Sequence, residues 1–439
     1  MVKPGNPDPD RILESTEGEQ DLIRRLFSDS LVISMPTNNL RVRRTSSRMC
    51  FSVEHGDYNG TRLFGAAIGV EPEKTGDANG FIWLAYAPTD NGRVKIKSLN
   101  FPGAVADFKL GQIADPSEAS RPGFPWTKFP MGVDYVLRKN GFQFEKGING
   151  VLIGKIPEGG LSRSASLTLN LMLSLFEANG MFAGAMDPFS VINMARQVEN
   201  EYIGSPCGDL DQAMIYLGKF GNGTVYSSRQ KLIRHVRLPR DTPDFRLVVL
   251  DTGTKRAGLK GATYETRQKE CRQIVDMFGQ KYGFSALADV TPAIYPHLIS
   301  DIEYSKLTDV EKNNLSGRLS YIFHANLRFD KMLGAWQDGD IHAIGEIMDA
   351  DGRGLRSEYQ ISGPQLETMV DAARTDPYFL GGRMAGGGDF GAAQGIRLNK
   401  PIADFRNRIL IGYGKSWPEY RQDAAVHNCQ LVDGCVRLI

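Results

Sequence analysis

Pro157-Glu158-Gly159-Gly160-Leu161-Ser162-Arg163-Ser164-Ala165-Ser166 is a glycine turn that runs through hydroxyl-bearing and small residues into an apolar stretch. Glycines let backbone amides crowd round an anion with no Cβ in the way. The first turn of a following helix adds unpaired N–H groups and the positive end of its dipole, and serine hydroxyls supply metal ligands. Such a turn can hold a polyphosphate; it is equally the form of an ordinary strand-to-helix connection with a serine cap. Upstream, Gly150 to Ile156 reads as a buried strand that delivers the chain into the turn. Downstream, Leu167, Leu169, Leu171, Leu173 and Leu175 alternate as in a strand, while every second one of them also fits a helical stripe. Length and the good helix formers Leu and Ala predict a helix from Ser164 to about Asn179, buried on most sides.

The chain has 439 residues, of which 41% are hydrophobic and 23% charged, enough for two domains with their own cores. Its 52 Lys plus Arg against 51 Asp plus Glu leave a formal charge of +1, which gives no electrostatic ground for binding nucleic acid or a membrane. Five cysteines with no CxxC pair favour reduced thiols over a disulfide framework or zinc site. No apolar run reaches the length of a membrane span, and the first residues lead into charge rather than a signal core. A soluble, cytoplasmic protein is expected. His235, His297, His324, His342 and His427 have no metal-like spacing.

Residues 1 to about 12 read as a loose arm and Glu19 to Leu31 as a short amphipathic helix. Short β-rich pieces follow at 31–34, 41–53, 62–70, 81–86 and 94–98, punctuated by Asn59-Gly60 and Asp90-Asn91-Gly92, and predict a largely antiparallel sheet. Asn100 to Pro125 reads as loop, Phe129 to Lys139 as a helix, and Phe189 to Val198 as another. Arg48, Glu54, His55 and Asp57 cluster at the end of an apolar strand, where carboxylates can accept from several sugar hydroxyls; a solvated hairpin reads the same way. Asp209 and Asp211 follow a Pro-Cys-Gly turn. Asp209 reads as a helix cap and Asp211 as a carboxylate able to orient or deprotonate a hydroxyl. After about residue 240 a strand at 246–253 opens an α-rich half, with helices at 264–278, through 307–348 and at 365–374, and a second glycine-dense loop, Gly381 to Gly391. Two glycine clusters in two domains, 1–240 and 241–439, predict a cleft between them.

Four windows, in order, resemble the GHMP kinases, and within them the galactokinases. Ser47 to Gly60 is similar to GRVNLIGEHTDYNGG, Pro157 to Ala165 to PxGxGLSSSA, Gly204 to Gln212 to GxPCGIMDQ, and Gly381 to Gly391 to GARMTGGGFGG. The resemblance implies a two-domain α/β (α+β) fold: an N-terminal domain like ribosomal protein S5, a ferredoxin-like C-terminal domain, and ATP and sugar in the cleft. It places Asp211 as the catalytic aspartate with Arg48 its partner. It puts Glu54, His55, Asp57, Gly208 and Tyr264 on the sugar. ATP phosphates fall on Gly159, Gly160, Leu161, Ser162, Arg163, Ser164 and Ala165, with Ser164 contacting Mg2+, and Gly386, Gly387 and Gly388 close over the site. Arg163 stands where the family has a serine, Asp389 interrupts the last motif, and the segment usually reading SHxSLRDDY lacks its histidine at Gly352.

The implied activity is an ATP- and Mg2+-dependent phosphotransferase acting on the anomeric C1 hydroxyl of galactose, with a monomeric enzyme expected. Kinases for galacturonate, arabinose or N-acetylgalactosamine, and a sugar sensor of weak activity, are the alternatives. The family's matching glutamate accepts from the sugar's C6 hydroxyl. A uronate would set its carboxylate against Glu54, and two unit charges about 4 Å apart at an effective dielectric near 20 repel by about 4 kcal/mol. Galactose is expected over galacturonate on that ground.

Overall fold

The computed structural model of this chain describes residues 8–29, 39–72, 78–112, 116, 125–157, 159–254, 263–388 and 390–439. Apolar stretches between glycine turns pair into two sheets. The first holds β1 (Arg41–Thr45), β4 (Ile82–Thr89), β5 (Arg93–Ser98), β6 (Val105–Lys109), β7 (Gly147–Gly154) and β14 (Cys435–Arg437), in the order β14-β1-β4-β7-β5-β6. Its neighbours are antiparallel except β5 and β7. The second holds β3 (Leu63–Val70), β8 (Asn222–Ser227), β9 (Leu232–Arg237), β10 (Phe245–Asp251), β11 (Phe379–Ala385), β12 (Ala392–Leu398) and β13 (Ala425–Leu431). Their order is β11-β12-β10-β13-β3-β8-β9, and β2 (Ser47–Ser52) pairs with β3. Strands from both sides of residue 240 therefore share the second sheet, and β14 returns to the first.

Alternation along the strands explains the layers. In the first sheet Leu84, Tyr86 and Leu152 face the helices Lys128–Lys139, Arg163–Ala178, Pro188–Gln197 and Leu210–Tyr216. Trp83, Ala85 and Val151 face the other way, onto Leu22, Ile23 and Leu26 of the helix Glu17–Phe27. The long helices Thr263–Tyr282, Asp309–Asp338 and Ile341–Ser357 bury their apolar sides against the second sheet.

The helix after the glycine turn is present as Arg163–Ala178 and is buried almost all round. That burial is why its leucines carry no single-sided stripe. The first helix begins earlier than its apolar residues suggest, because Thr16 and Glu19 form a reciprocal capping box. Three expectations change. The stretch 41–53 is two strands: Ser46 leaves the ladder, its N–H donating to Gly434 O (2.8 Å), and the chain crosses from one sheet to the other. The stretch 100–125 contains edge strand β6, whose Val105 and Asp107 face outward, so no apolar alternation marks it. Residues 8–12 are docked: Arg43 donates to Pro9 O (2.6 Å) and Ile12 bridges Arg437. The strand expected at 31–34 and Asp389 lie outside the described residues.

Candidate active site

β7 ends at Gly154, and the chain enters the helix Arg163–Ala178 through a loop in which Gly160 (φ 60) and Ser162 (φ 54) adopt left-handed backbone. For a serine that conformation is uncommon and costs energy, so the surroundings hold it. The loop is wedged against the second sheet. A Cβ at Gly159 would sit 2.5 Å from Asp251 Oδ1, and one at Gly160 would sit 3.0 Å from Ala385 O. Gly159 N–H donates to Asp251 Oδ2 (3.3 Å), which turns that amide toward β10. Gly160, Leu161, Ser162, Arg163 and Ser164 line a cavity of about 650 Å3, whose walls also include Asn100, Phe101, Trp126 and Phe129. Ala165 is in the core. The volume lies within the range of small-ligand clefts. Three buried polar atoms at this cavity, Ser162 Oγ, Arg48 Nη1 and Trp126 Nε1, have no hydrogen-bond partner among the described residues. A polyanion would satisfy a hydroxyl and a guanidinium N–H together.

A second, smaller cavity of about 40 Å3 is lined by Glu54, His55, Asp57, Gly208, Leu210 and Tyr264. It shares Arg48, Cys207, Asp211, Gly386 and Gly387 with the larger one. The two cavities thus meet at one ion pair. Arg48, carried by β2, donates from Nε to Asp211 Oδ1 at 2.6 Å, and Asp211 lies in the first turn of the helix Leu210–Tyr216. Arg48 is fully buried, whereas Asp211 keeps part of its side chain open to the cavities. Asp209, expected as a cap, makes no capping bond; its carboxylate accepts from Tyr226 Oη (2.9 Å) instead.

Asp57 opens a short 3-10 turn, Asp57–Asn59, and accepts from the N–H groups of Tyr58 (3.0 Å) and Leu210 (3.3 Å). Burial, with Asp209 nearby, pushes its carboxyl up to about 7. Gly208 has to be glycine: a Cβ there would fall 1.8 Å from Asp57 Oδ2. Gly208 N–H donates to Tyr264 Oη (3.3 Å). Gly388, in left-handed backbone, packs against Ile361 outside both linings, leaving Gly386 and Gly387 at the cavities.

Glu54 is more constrained than its sequence window suggests. Oε1 accepts from Gly386 N–H (3.0 Å) and lies 3.8 Å from Arg48 Nη2. Oε2 lies 3.4 Å from both Arg383 Nη2 and Gln394 Nε2. Burial pushes the Glu54 carboxyl up, and the two guanidiniums and the Gly386 amide oppose it. The charge that was expected to repel a uronate is therefore flanked by two arginines. Arg383 is itself tied to Asp351 (2.6 Å) and Cys50 O (2.8 Å).

Three residues were given no role by the sequence reading, although Arg383 falls inside the window Gly381 to Gly391. Glu199 lies in a π-helical turn, Val198–Ile203, and lines the larger cavity with Ser164, whose hydroxyl bonds its carboxylate. Burial pushes Glu199 up to about 7. An irregular turn has no periodicity to read, although such turns gather at functional sites. Arg383 and Tyr359 reach the site from strands and loops far along the chain. Among the described residues no group of three or more His, Cys, Asp or Glu could hold a metal. Ser164 and Glu199 suit Mg2+ only if phosphate oxygens and water complete its shell, which is the usual arrangement for that ion. No described helix is long and apolar enough to cross a membrane.

The family described as GHMP kinases N terminal domain matches residues 131–219, which include the glycine turn and Asp211. A galactokinase of Limosilactobacillus fermentum is 27% identical over 87% of this chain and 91% of its own length. A galactokinase of Lacticaseibacillus casei is 28% identical over 88% and 92%. Among solved structures, Lactococcus lactis galactokinase complexed with galactose superposes with a TM-score of 0.79 at 22% identity, covering 95% of this chain and 99% of that one. Methanococcus jannaschii mevalonate kinase superposes with a TM-score of 0.57 at 14% identity, covering 90% and 100%. Both superpositions concern the fold.

Proposed function

Because the chain belongs to the GHMP kinase superfamily and is galactokinase-like, a kinase of sugars, we propose that it phosphorylates galactose at the anomeric C1 hydroxyl. ATP is the donor, and Mg2+, when bound with it, would neutralise phosphate charge. The observation that carries this reading is the Arg48–Asp211 pair at the junction of two cavities, one lined by the glycine turn and one by carboxylates.

In this reading the N-terminal residues 1–240 supply most of both cavities, and 241–439 supply Tyr264 and the closing glycines. Gly160 to Ser164, with the positive end of their helix, hold the phosphates, and Ser162 Oγ and Arg48 Nη1 gain the partners they lack. Ser164 and Glu199 would hold the metal. Glu54, His55, Asp57, Gly208 and Tyr264 surround the sugar and fix its C1 oxygen near Asp211. Asp211 accepts the proton as that oxygen forms its bond to phosphorus and the bridging oxygen of the leaving ADP departs. Arg48 Nε keeps the carboxylate aimed and its charge compensates the developing negative charge. Phosphoryl transfer asks for positioning and charge neutralisation more than covalent work, which suits a carboxylate held by a buried guanidinium and open to the cavities.

Galacturonate is the second reading, and the flanking of Glu54 by Arg48 and Arg383 favours it over arabinose or N-acetylgalactosamine. The test is ADP release with ATP and Mg2+ over galactose, galacturonate, arabinose, N-acetylgalactosamine and glucose. Galactose is expected to give the highest kcat/KM. Higher kcat/KM on galacturonate would overturn the substrate, and release on none of them would overturn the enzyme.

A further inference from the structure

His55 is buried at the sugar-side cavity in left-handed backbone (φ 62), a conformation its surroundings must impose. Tyr58, Tyr264 and Tyr359 surround it, with ring centroids 6.0, 5.4 and 5.2 Å away. A run of polar atoms leads off the ring. Tyr58 Oη is 3.1 Å from His55 Nδ1, Tyr359 Oη is 2.6 Å from Tyr58 Oη, and Cys271 Sγ is 3.4 Å from Tyr359 Oη. His55 and Tyr58 come from the loop after β2, whereas Cys271 and Tyr359 come from beyond residue 240 and are fully buried.

The direction of the hydrogens follows from the chemistry of the four groups. An imidazole nitrogen is the strongest base in the run, and a phenol is a better donor than acceptor, so Tyr58 O–H donates to Nδ1. Tyr359 O–H then donates to Tyr58 Oη, since that oxygen's own hydrogen is committed. Burial pushes the Cys271 thiol up to about 11, so the sulfur keeps its hydrogen and can close the run by donating to Tyr359 Oη. With Nδ1 accepting, a neutral His55 carries its hydrogen on Nε2. The carboxylates of Glu54, Asp57 and Asp211, which line the same cavity, accept hydrogen bonds when ionised and donate none.

We propose that Tyr359, acting through Tyr58, is a positioning residue that holds His55 as its Nε2–H tautomer, so that the cavity presents a neutral donor to a sugar oxygen among carboxylates that only accept. The contact to sugar rests on the function proposed above; the tautomer does not.

Two measurements separate these parts. The first is nitrogen-15 NMR of labelled histidine at pH 8, with His55→Ala used to assign the signal. The Nε2–H tautomer is expected in the native protein, and Tyr359→Phe should shift it toward a tautomer mixture. An Nδ1–H signal in the native protein, or an unchanged one in Tyr359→Phe, would overturn the proposal. The second is a cycle of Tyr359→Phe, His55→Ala and the double variant, assayed on galactose. Tyr359→Phe should raise the KM for galactose about fivefold, the scale of one lost buried hydrogen bond, with kcat and the KM for ATP within twofold. In the His55→Ala background it should add less than twofold. A full effect in that background would overturn the proposal. Native protein with the Nε2–H tautomer that neither binds nor phosphorylates galactose would uphold the relay and sink the functional reading instead.

Discussion

Replacing Glu54 by Gln tests whether charge fastens the sugar loop to the far half of the chain. The carboxylate stands 3.8 Å from Arg48 and 3.4 Å from Arg383. At an effective dielectric near 20, unit charges at those separations attract by about 4 and about 5 kcal/mol. Desolvation of three charges opposes most of that gain while the network is intact, but removing one partner strands the others, at about 3–5 kcal/mol. Glutamine keeps an acceptor for Gly386 N–H and turns its own N–H2 group toward a guanidinium, so a loss of about 3 kcal/mol is expected. Urea denaturation followed by fluorescence should show a lower midpoint with an unchanged slope. Because Arg48 retains its bond to Asp211, kcat on galactose should fall less than kcat/KM. A midpoint within error of the parent's, with the same KM, would mean that the buried carboxyl is carried as a neutral acid, and the reasoning from charge would fail.

Asp211→Asn keeps shape and loses charge; kcat should fall by about 10²–10⁴ while galactose affinity, measured by calorimetry, changes little, and turnover at the native rate would exclude Asp211 as the base. Gly208→Ala drives a methyl into Asp57, so the KM for sugar should rise about tenfold or more, with the KM for ATP nearly constant. Asp57 and Glu199, both raised to about 7, are protonated below that pH, so the KM for galactose and the Mg2+ requirement should both rise between pH 8 and pH 6. Their folded values lie above the ordinary 3.8 and 4.5, so the stability they contribute is present below about pH 4 and is lost as pH rises through 7. Melting of the ligand-free protein should show that decline, and Glu199→Gln should flatten it.

The glycine turn and the Asp211 window were legible because their chemistry is local: a loop that approaches a polyanion needs glycine and hydroxyls next to a helix start. Arg48 and Asp211 were legible as a pair only through the family pattern, since 163 positions separate them and no spacing links a strand to a distant helix. Glu54 was half-read. Its window named the carboxylate, but its partners Arg383, Gly386 and Gln394 arrive from β11, β12 and the turn between them, so the cancelling of its charge exists only in the folded chain. Glu199 and the Tyr58–Tyr359 contact were unreadable for related reasons: one lies in an irregular turn, the other joins residues 301 positions apart. The outward-facing edge strand β6 and the break at Ser46 show the other limit, where tertiary pairing overrides what propensity and alternation display.

β13 sits between β10 and β3 and is the strand that joins the two groups of the second sheet. On a ribosome this has a cost in time. When residue 240 has emerged, β3 already pairs with β2 and β8, but its end at Ile68–Val70 waits for Cys429–Leu431 of β13. At roughly 5–20 residues per second, that open edge lasts on the order of 10–40 s. For that interval the nascent chain carries a short open end on an apolar strand, the kind of surface that recruits a neighbouring chain. A fragment ending at 240 makes the interval permanent, and so should be recovered aggregated or chaperone-bound, whereas the full chain closes its own sheet.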